Sequence, residues 1–231
     1  MTTAQEIITA VATRRGVREY NMDAGSAFRS AGGIVAAAVV DGIGNDPAGA
    51  VAMRLLAETA VRIGSTRGAL AGIMAAASLI EDPGVEEYAP DAVAVLALAE
   101  PGRPTLLAWV GDAHVYGWDG SALRRRTDPQ TMGAYLRQHG NVELPPLMDD
   151  WVRVSLSTAT VATVALSQAP ADELLLLVSD GTDDLSREEL EALVREYQGD
   201  PQALAEAVVA AVQKNSDGYR DDATAVVLLP R

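Results

Sequence analysis

The sequence contains no cysteine, which excludes disulfides, thiolate nucleophiles, iron–sulfur clusters and cysteine-ligated zinc in one step. Histidine is nearly as scarce. His114 and His139 are the only two, and neither has a second histidine at ligand spacing, so soft-metal chemistry is disfavoured. Positive charge is in short supply, with 18 basic against 32 acidic residues and a net charge of −14; such a surface repels nucleic acid and anionic lipid. Lys214 is the one lysine, and the arginine-dominated remainder is the coding bias expected of a GC-rich bacterial genome. No apolar run approaches the ~20 residues that span a bilayer; the longest cover 34–40 and 92–99. The opening MTTAQEIITAVATRRG lacks a basic start followed by a long apolar stretch, so the expected location is the cytoplasm, with no membrane contact. What is present, 48% hydrophobic residues in a chain of 231, suits a sizeable core, and no break in composition divides it: residues 1–231 read as a single domain.

Several apolar runs end in aspartate. IVAAAVV stops at Asp41-Gly42, TLLAWV at Gly111-Asp112 and ELLLLVS at Asp180-Gly181, whereas Asp221-Asp222 precedes ATAVVLL. Further strand candidates are EIITAVAT, AGSAFRS, AVAVLALA, HVYGW, WVRVSLS and TVATVAL, about ten strands in all. Helices fall into two blocks. Residues 47–82 hold two, one opening at Pro47 behind Asp46 and a second over about 66–80. After Asp180, a capping box from Ser186 to Glu189 opens SREELEALVREYQ, and Asp200-Pro201 opens PQALAEAVVAAVQ. Residues 126–150, with a short helix TMGAYLRQHG and then ELPPLMDD, read as a flap or connection. Strands and helices do not alternate one by one, which favours an α+β arrangement of layered sheets flanked by paired helices.

A lone Asp-Gly after a strand is usually a turn. A set of such aspartates, Asp23, Asp41, Asp112, Asp180 and Asp221, is harder to dismiss. Crowded carboxylates raise one another's pKa unless cations neutralise them, and Mg²⁺ or Mn²⁺, which take hard oxygen ligands, do so. Two such ions ~4 Å apart can clamp the oxygens of an in-line displacement, and phosphate ester hydrolysis is the natural task.

In order along the chain stand Arg18-Glu19-Tyr20-Asn21-Met22-Asp23, Asp41-Gly42-Ile43-Gly44, Gly111-Asp112-Ala113, Ser179-Asp180-Gly181 and Asp221-Asp222-Ala223-Thr224. This series resembles the metal-dependent protein serine/threonine phosphatases of the protein phosphatase 2C family, bacterial type, over nearly the whole chain. The resemblance implies a four-layer α-β-β-α sandwich, two central antiparallel β-sheets with a helix pair on each outer face. It implies Asp41 bridging two Mn²⁺ or Mg²⁺ ions, Gly42 ligating one through its carbonyl, Asp180 and Asp221 completing the pair of sites, and Asp112 helping to hold a third ion. Asp23 would act in the outer shell through water, and Arg18 would grip the substrate phosphate. The reaction implied is hydrolysis of phosphoserine or phosphothreonine in proteins of a Ser/Thr kinase pathway, by direct attack of a water bridging the ions.

The chain departs from the family at several places. Met22 stands where Glu or Gln is usual, and a thioether cannot replace a hard oxygen ligand. Ile43 replaces a frequent histidine, Pro90-Asp91-Ala92 replaces a Gly-Ser/Thr-Thr segment, and Thr127-Asp128-Pro129 lacks the familiar Asp-His. Met22 and the 90–92 segment motivate an alternative, a catalytically impaired module of the same fold that binds a phosphoprotein or signalling partner. VSDGTDD is not a haloacid dehalogenase signature, because Val178 stands where the nucleophilic aspartate belongs, and the late Lys214 does not suit a receiver domain. His114 is read as a strand residue beside the site, and His139 as a cation favoured at a helix C-terminus. The run Arg124-Arg125-Arg126 is read as a solvated hairpin edge, with docking of an acidic or phosphorylated segment as its alternative. Trp109, Trp118 and Trp151 are read as core or sheet-face aromatics.

Overall fold

The computed structural model describes residues 6–80, 90–140 and 146–231. Among the described residues, ten strands form two five-stranded sheets in which every pairing is antiparallel. The first sheet is ordered β1 (Ile7–Arg14), β10 (Ala223–Pro230), β9 (Leu174–Val178), β6 (His114–Trp118), β7 (Leu123–Arg125). The second runs β2 (Asp23–Arg29), β3 (Val35–Ile43), β4 (Asp91–Ala99), β5 (Thr105–Val110), β8 (Ala165–Ala169). Helices α1 (Pro47–Arg67) and α2 (Ala69–Ala77) cover the second sheet, and α4 (Arg187–Tyr197) and α5 (Pro201–Ala211) the first, while α3 (Met132–His139) lies in the connection after β7. This is the expected α-β-β-α sandwich. Among the described residues, no helix is long and apolar enough to cross a membrane.

The central strands are apolar without interruption because both their faces are covered. In β3, Val35, Ala37 and Val39 enter the layer between the sheets with Val93, Val95, Leu175, Leu177 and Val226. The alternate residues Ala36, Ala38 and Val40 meet Met53, Leu56, Ala60 and Ile73 of the first helix pair. On the other side Leu174, Leu176, Val178 and Val227 pack on Leu190, Val194, Leu204 and Val208. Removing a branched side chain from such a layer costs about 2–5 kcal/mol.

Local signals set the helix starts. The Asp46 side chain accepts from the Gly49 N–H with Pro47 behind it, Ser186 and Glu189 form a reciprocal capping box, and Asp200 accepts from the Ala203 N–H. Other boundaries differ from expectation. The first helix continues to Arg67 and the second is shorter than 66–80, because Gly68 at φ +98° breaks the run between them; the part of the 47–82 block beyond residue 80 lies outside the described residues. WVRVSLS is not a strand. Val152 makes one isolated bridge to Thr131, and the segment is then turned by Ser155, Thr158 and the Asp91 carboxylate, which takes the Ser157 hydroxyl at 2.6 Å. Its apolar alternation arises because Leu156 lies on the core of the second sheet. Within TVATVAL, the Thr160–Thr163 turn delays the strand to Ala165. In the 126–150 connection, α3 is formed as expected, and residues 141–145, which include the first three of ELPPLMDD, lie outside the described residues.

Candidate active site

The aspartates meet at one end of the sandwich. In the second sheet Asp23, the first residue of β2, is register partner to Asp41 near the end of β3, and the parity of Val35, Ala37 and Val39 carries Asp41 onto the inner face. From the first sheet, the end of β9 delivers Ser179 and Asp180, and the residues before β10 deliver Asp221 and Asp222. The two sheets are joined here by hydrogen bonds. The fully buried Ser179 hydroxyl donates to Asp23 Oδ2 at 2.6 Å and accepts from the Thr224 N–H at 2.9 Å, and the Asp180 N–H reaches Asp41 Oδ2 at 3.3 Å. Asp112 is presented by a turn after β5 in which Gly111 has φ +84°; a Cβ at Gly111 would lie 2.1 Å from Val93 Cγ1, so both backbone and space require glycine. Gly42 donates its N–H to the Met22 carbonyl at 3.0 Å, and a Cβ there would meet that oxygen at 2.6 Å.

Arg18 lies on the segment between β1 and β2. Its guanidinium donates to the Gly44 carbonyl at 3.0 Å and forms an ion pair with Asp221, whose other oxygen accepts from the Tyr219 hydroxyl at 3.2 Å. Arg18, Asp41, Gly42, Asp112, Asp180 and Asp221 all line one cleft of about 940 Å³, and Asp23 sits buried behind Asp41. The structure therefore brings the candidate site residues Arg18, Asp23, Asp41, Gly42, Asp112, Asp180 and Asp221 to one end of the sandwich.

Charge in this cleft is unbalanced. Burial pushes Asp23 up to about 7, against the Ser179 hydrogen bond and with help from Asp180 and Asp222. Burial, then Asp180, raises Asp112 to about 7. Asp41 is held well above the carboxylate range by burial and by the charges of Asp180 and Asp23. Asp180 is raised by lost hydration, with Asp221 and Asp183 adding to it and its hydrogen bond with Asp41 opposing. Hard oxygen donors in negative excess are the donor set that divalent Mn²⁺ or Mg²⁺ requires, so the residues fit such ions in type and in charge. As they stand, no three acidic or histidine side chains among the described residues are close enough to hold an ion, and Asp221 is turned to Arg18.

Other residues in and around the cleft depart from the sequence expectation or add to it. Trp151 is not a core aromatic: it is 56% exposed and lines the cleft, because the strand expected to bury it does not form; Trp109 and Trp118 are buried as expected. The arginine run is not a uniform solvated edge. Arg124 pairs with Asp119, Arg126 with the buried Glu173, and Arg125 lies against His114 on the cleft wall. His114 opens β6 beside the site, 3.1 Å from the Asp183 carboxylate. The Met22 side chain is buried, and a Cβ at Gly49 in α1 would lie 2.6 Å from its methyl group. Ser179, Asp222 and Thr224 stand in the quoted motifs, but their bonds span distant parts of the chain and leave no local signal.

No family model and no curated protein matches the chain. Solved structures match over almost its full length. PppA, a key regulatory component of T6SS in Pseudomonas aeruginosa, has a TM-score of 0.78 at 21% identity, covering 99% of each chain. The catalytic domain of the serine threonine protein phosphatase PstP, solved with two manganese ions, has a TM-score of 0.73 at 24% identity, again covering 99% of each. The PPM Ser-Thr phosphatase MsPP from Mycobacterium smegmatis has a TM-score of 0.72 at 24% identity, covering 96% of this chain and 97% of its own. The chain has the protein phosphatase 2C fold. In the terms of that fold, the cleft occupies the end of the paired sheets where β3 and β9 terminate and β2 and β10 begin.

Proposed function

We propose that this protein is a metal-dependent phosphatase of the protein phosphatase 2C family that hydrolyses phosphoserine or phosphothreonine in proteins of a bacterial Ser/Thr kinase pathway, in the cytoplasm. Residues 1–231 read as a single domain, with 126–150 as a flap or connection whose described residues Pro129, Thr131, Arg137, Asp149 and Asp150 line the cleft. The observation that carries this reading is the convergence of Asp41, Asp112, Asp180 and Asp221 with Arg18 on one cleft, where burial and neighbouring charge raise the pKa values of Asp41, Asp112 and Asp180.

Asp41, Asp180 and Asp221 with the Gly42 carbonyl would hold two Mn²⁺ or Mg²⁺ ions, and Asp112 with Asp180 a third, weaker one. When bound, such ions polarise water and the phosphate oxygens. The chain itself binds and orients. Arg18 presents a planar fork that suits two oxygens of a phosphate, a geometry lysine lacks. To do so it exchanges Asp221 for the substrate, while its bond to the Gly44 carbonyl fixes one edge of the fork. Asp23, held by the Ser179 hydroxyl, acts behind Asp41 through water. Ile43, exposed on the cleft, offers no proton to a leaving group.

The test is hydrolysis of p-nitrophenyl phosphate and of a phosphothreonine peptide with excess Mn²⁺, with and without chelator. Turnover is expected with metal only, and Asp180→Ala is expected to reduce it by at least about 100-fold, since the substitution removes both a ligand and the charge that draws the ion. No turnover by the folded, Mn²⁺-supplied protein would instead select the binding module.

A further inference from the structure

Asp222, like Asp23, is a buried carboxylate beside the cleft that does not line it. Asp222 is 2% exposed, and both its oxygens are engaged: Oδ1 accepts from the Gly16 N–H and Oδ2 from the Met22 N–H, each at 2.7 Å. These donors bracket the irregular segment between β1 and β2 that carries Arg18. We infer that Asp222 is a positioning residue for Arg18, clamping both ends of its segment so that the guanidinium is aimed at the phosphate site. The inference rests on the role given to Arg18 above.

The clamp fits its surroundings. Val17 donates to the Arg220 carbonyl at 2.9 Å, and a Cβ at Gly16 would lie 2.3 Å from that oxygen, so the segment lies flush against the entry to β10. The Met22 carbonyl in turn accepts from Gly42, which extends the clamp to the turn beside Asp41. Arg18's own bonds to the Gly44 carbonyl and to Asp221 fix only part of its side chain: its buried Nε has no partner among the described residues, and the Asp221 arm is the one the substrate takes, so the backbone of its segment supplies the rest of the aim. Chemistry then favours a carboxylate. A carboxylate accepts at both oxygens, whereas an amide accepts at one and sets an N–H₂ against the other donor. Bonds to a charged acceptor are also the stronger kind.

Satisfying two buried donors is by itself a structural role, so the test measures coupling to Arg18. Hydrolysis of p-nitrophenyl phosphate with excess Mn²⁺ is compared in the unaltered protein, Asp222→Asn, Arg18→Ala and the double variant, with Mn²⁺ affinity measured by calorimetry. Asp222→Asn should raise KM about tenfold and leave kcat within about twofold, the signature of lost ground-state binding. In the Arg18→Ala background the same change should leave KM where Arg18→Ala alone puts it, and Mn²⁺ affinity should stay within about twofold throughout the Asp222 comparison. An unaltered KM, an equal rise in both backgrounds, or a loss carried wholly by Mn²⁺ affinity would overturn the inference. Failure of the unaltered protein to turn over removes the phosphatase reading and this role with it; turnover without the coupling removes this role alone. Should Asp222→Asn not fold, amide exchange in the unaltered protein decides: slow exchange at both Gly16 and Met22 supports the clamp, and free exchange at either defeats it.

Discussion

At the scale of single residues, the least expected feature is the ion pair between Arg18 and Asp221, because it sets the candidate phosphate-binding cation on a candidate metal ligand. Both partners are partly exposed, so the pair is worth little as a source of stability. Its consequence is competition: an ion at Asp221 has to displace a guanidinium and the Tyr219 hydroxyl. Removing the guanidinium therefore acts in two opposite directions. Arg18→Ala is expected to tighten Mn²⁺ binding about threefold, in line with the small energy of exposed pairs, while raising KM for p-nitrophenyl phosphate. Calorimetry and steady-state kinetics on the same preparation check both halves. Weaker Mn²⁺ binding in the variant would mean that the arginine supports the ligand and does not compete with it.

Among the elements, the first helix pair depends on small residues where it meets β4. A Cβ added at Gly72 of α2 would lie 2.5 Å from Leu96 Cδ2, 2.7 Å from the Ala60 carbonyl and 2.9 Å from Gly64 Cα, so α1 and α2 approach as closely as backbone allows. Gly72→Ala, which would raise helix propensity at an exposed site, is therefore expected to destabilise by about 2 kcal/mol through overpacking, read as a lower denaturant midpoint at unchanged slope. A gain in stability would show that the contact yields. The glycine and alanine content of this block was visible in the sequence, as were the helix starts at Asp46, Ser186 and Asp200, because caps act over three residues. Strands buried on both faces were equally visible, since burial writes them as unbroken apolar runs. The segment 151–157 misled because a loop anchored by Leu156 imitates strand alternation, and β7, at three residues, is too short for any period to register.

Over the whole molecule, the candidate site was legible as far as its residue types and strand-end positions reach. Asp41 and Asp180 follow apolar runs that any reading would make central strands. The bonds that join the sheet ends were not legible, because Ser179 to Asp23 and Asp222 to Met22 connect residues more than 150 positions apart. Those bonds gather the acids of a chain with net charge −14 into one cleft, and stability must then depend on pH and on cations together. Asp23 and Asp112 are raised to about 7 in the folded chain, and Asp41 and Asp180 are raised as well. A carboxyl with a raised folded pKa binds its proton more tightly in the folded than in the unfolded state. Its contribution to stability is complete below the unfolded value near 4 and is lost as pH rises through the folded value. Carboxyls shifted the other way, such as Asp149 and Glu189, lose their contribution as pH falls, below that window. With chelator, the melting temperature is therefore expected to fall between about pH 5 and pH 8. Millimolar Mn²⁺ should recover it most at the alkaline end, where the acids are ionised and mass action favours the loaded fold. Asp180→Asn separates this account from a general acidic effect: with chelator at pH 8 the variant should melt above the unaltered protein, at pH 5 the two should converge, and Mn²⁺ should stabilise the variant less. A variant that melts lower under chelation at pH 8 would mean that the Asp180 carboxylate supports the metal-free fold, and that repulsion in the cleft is not what the cation relieves.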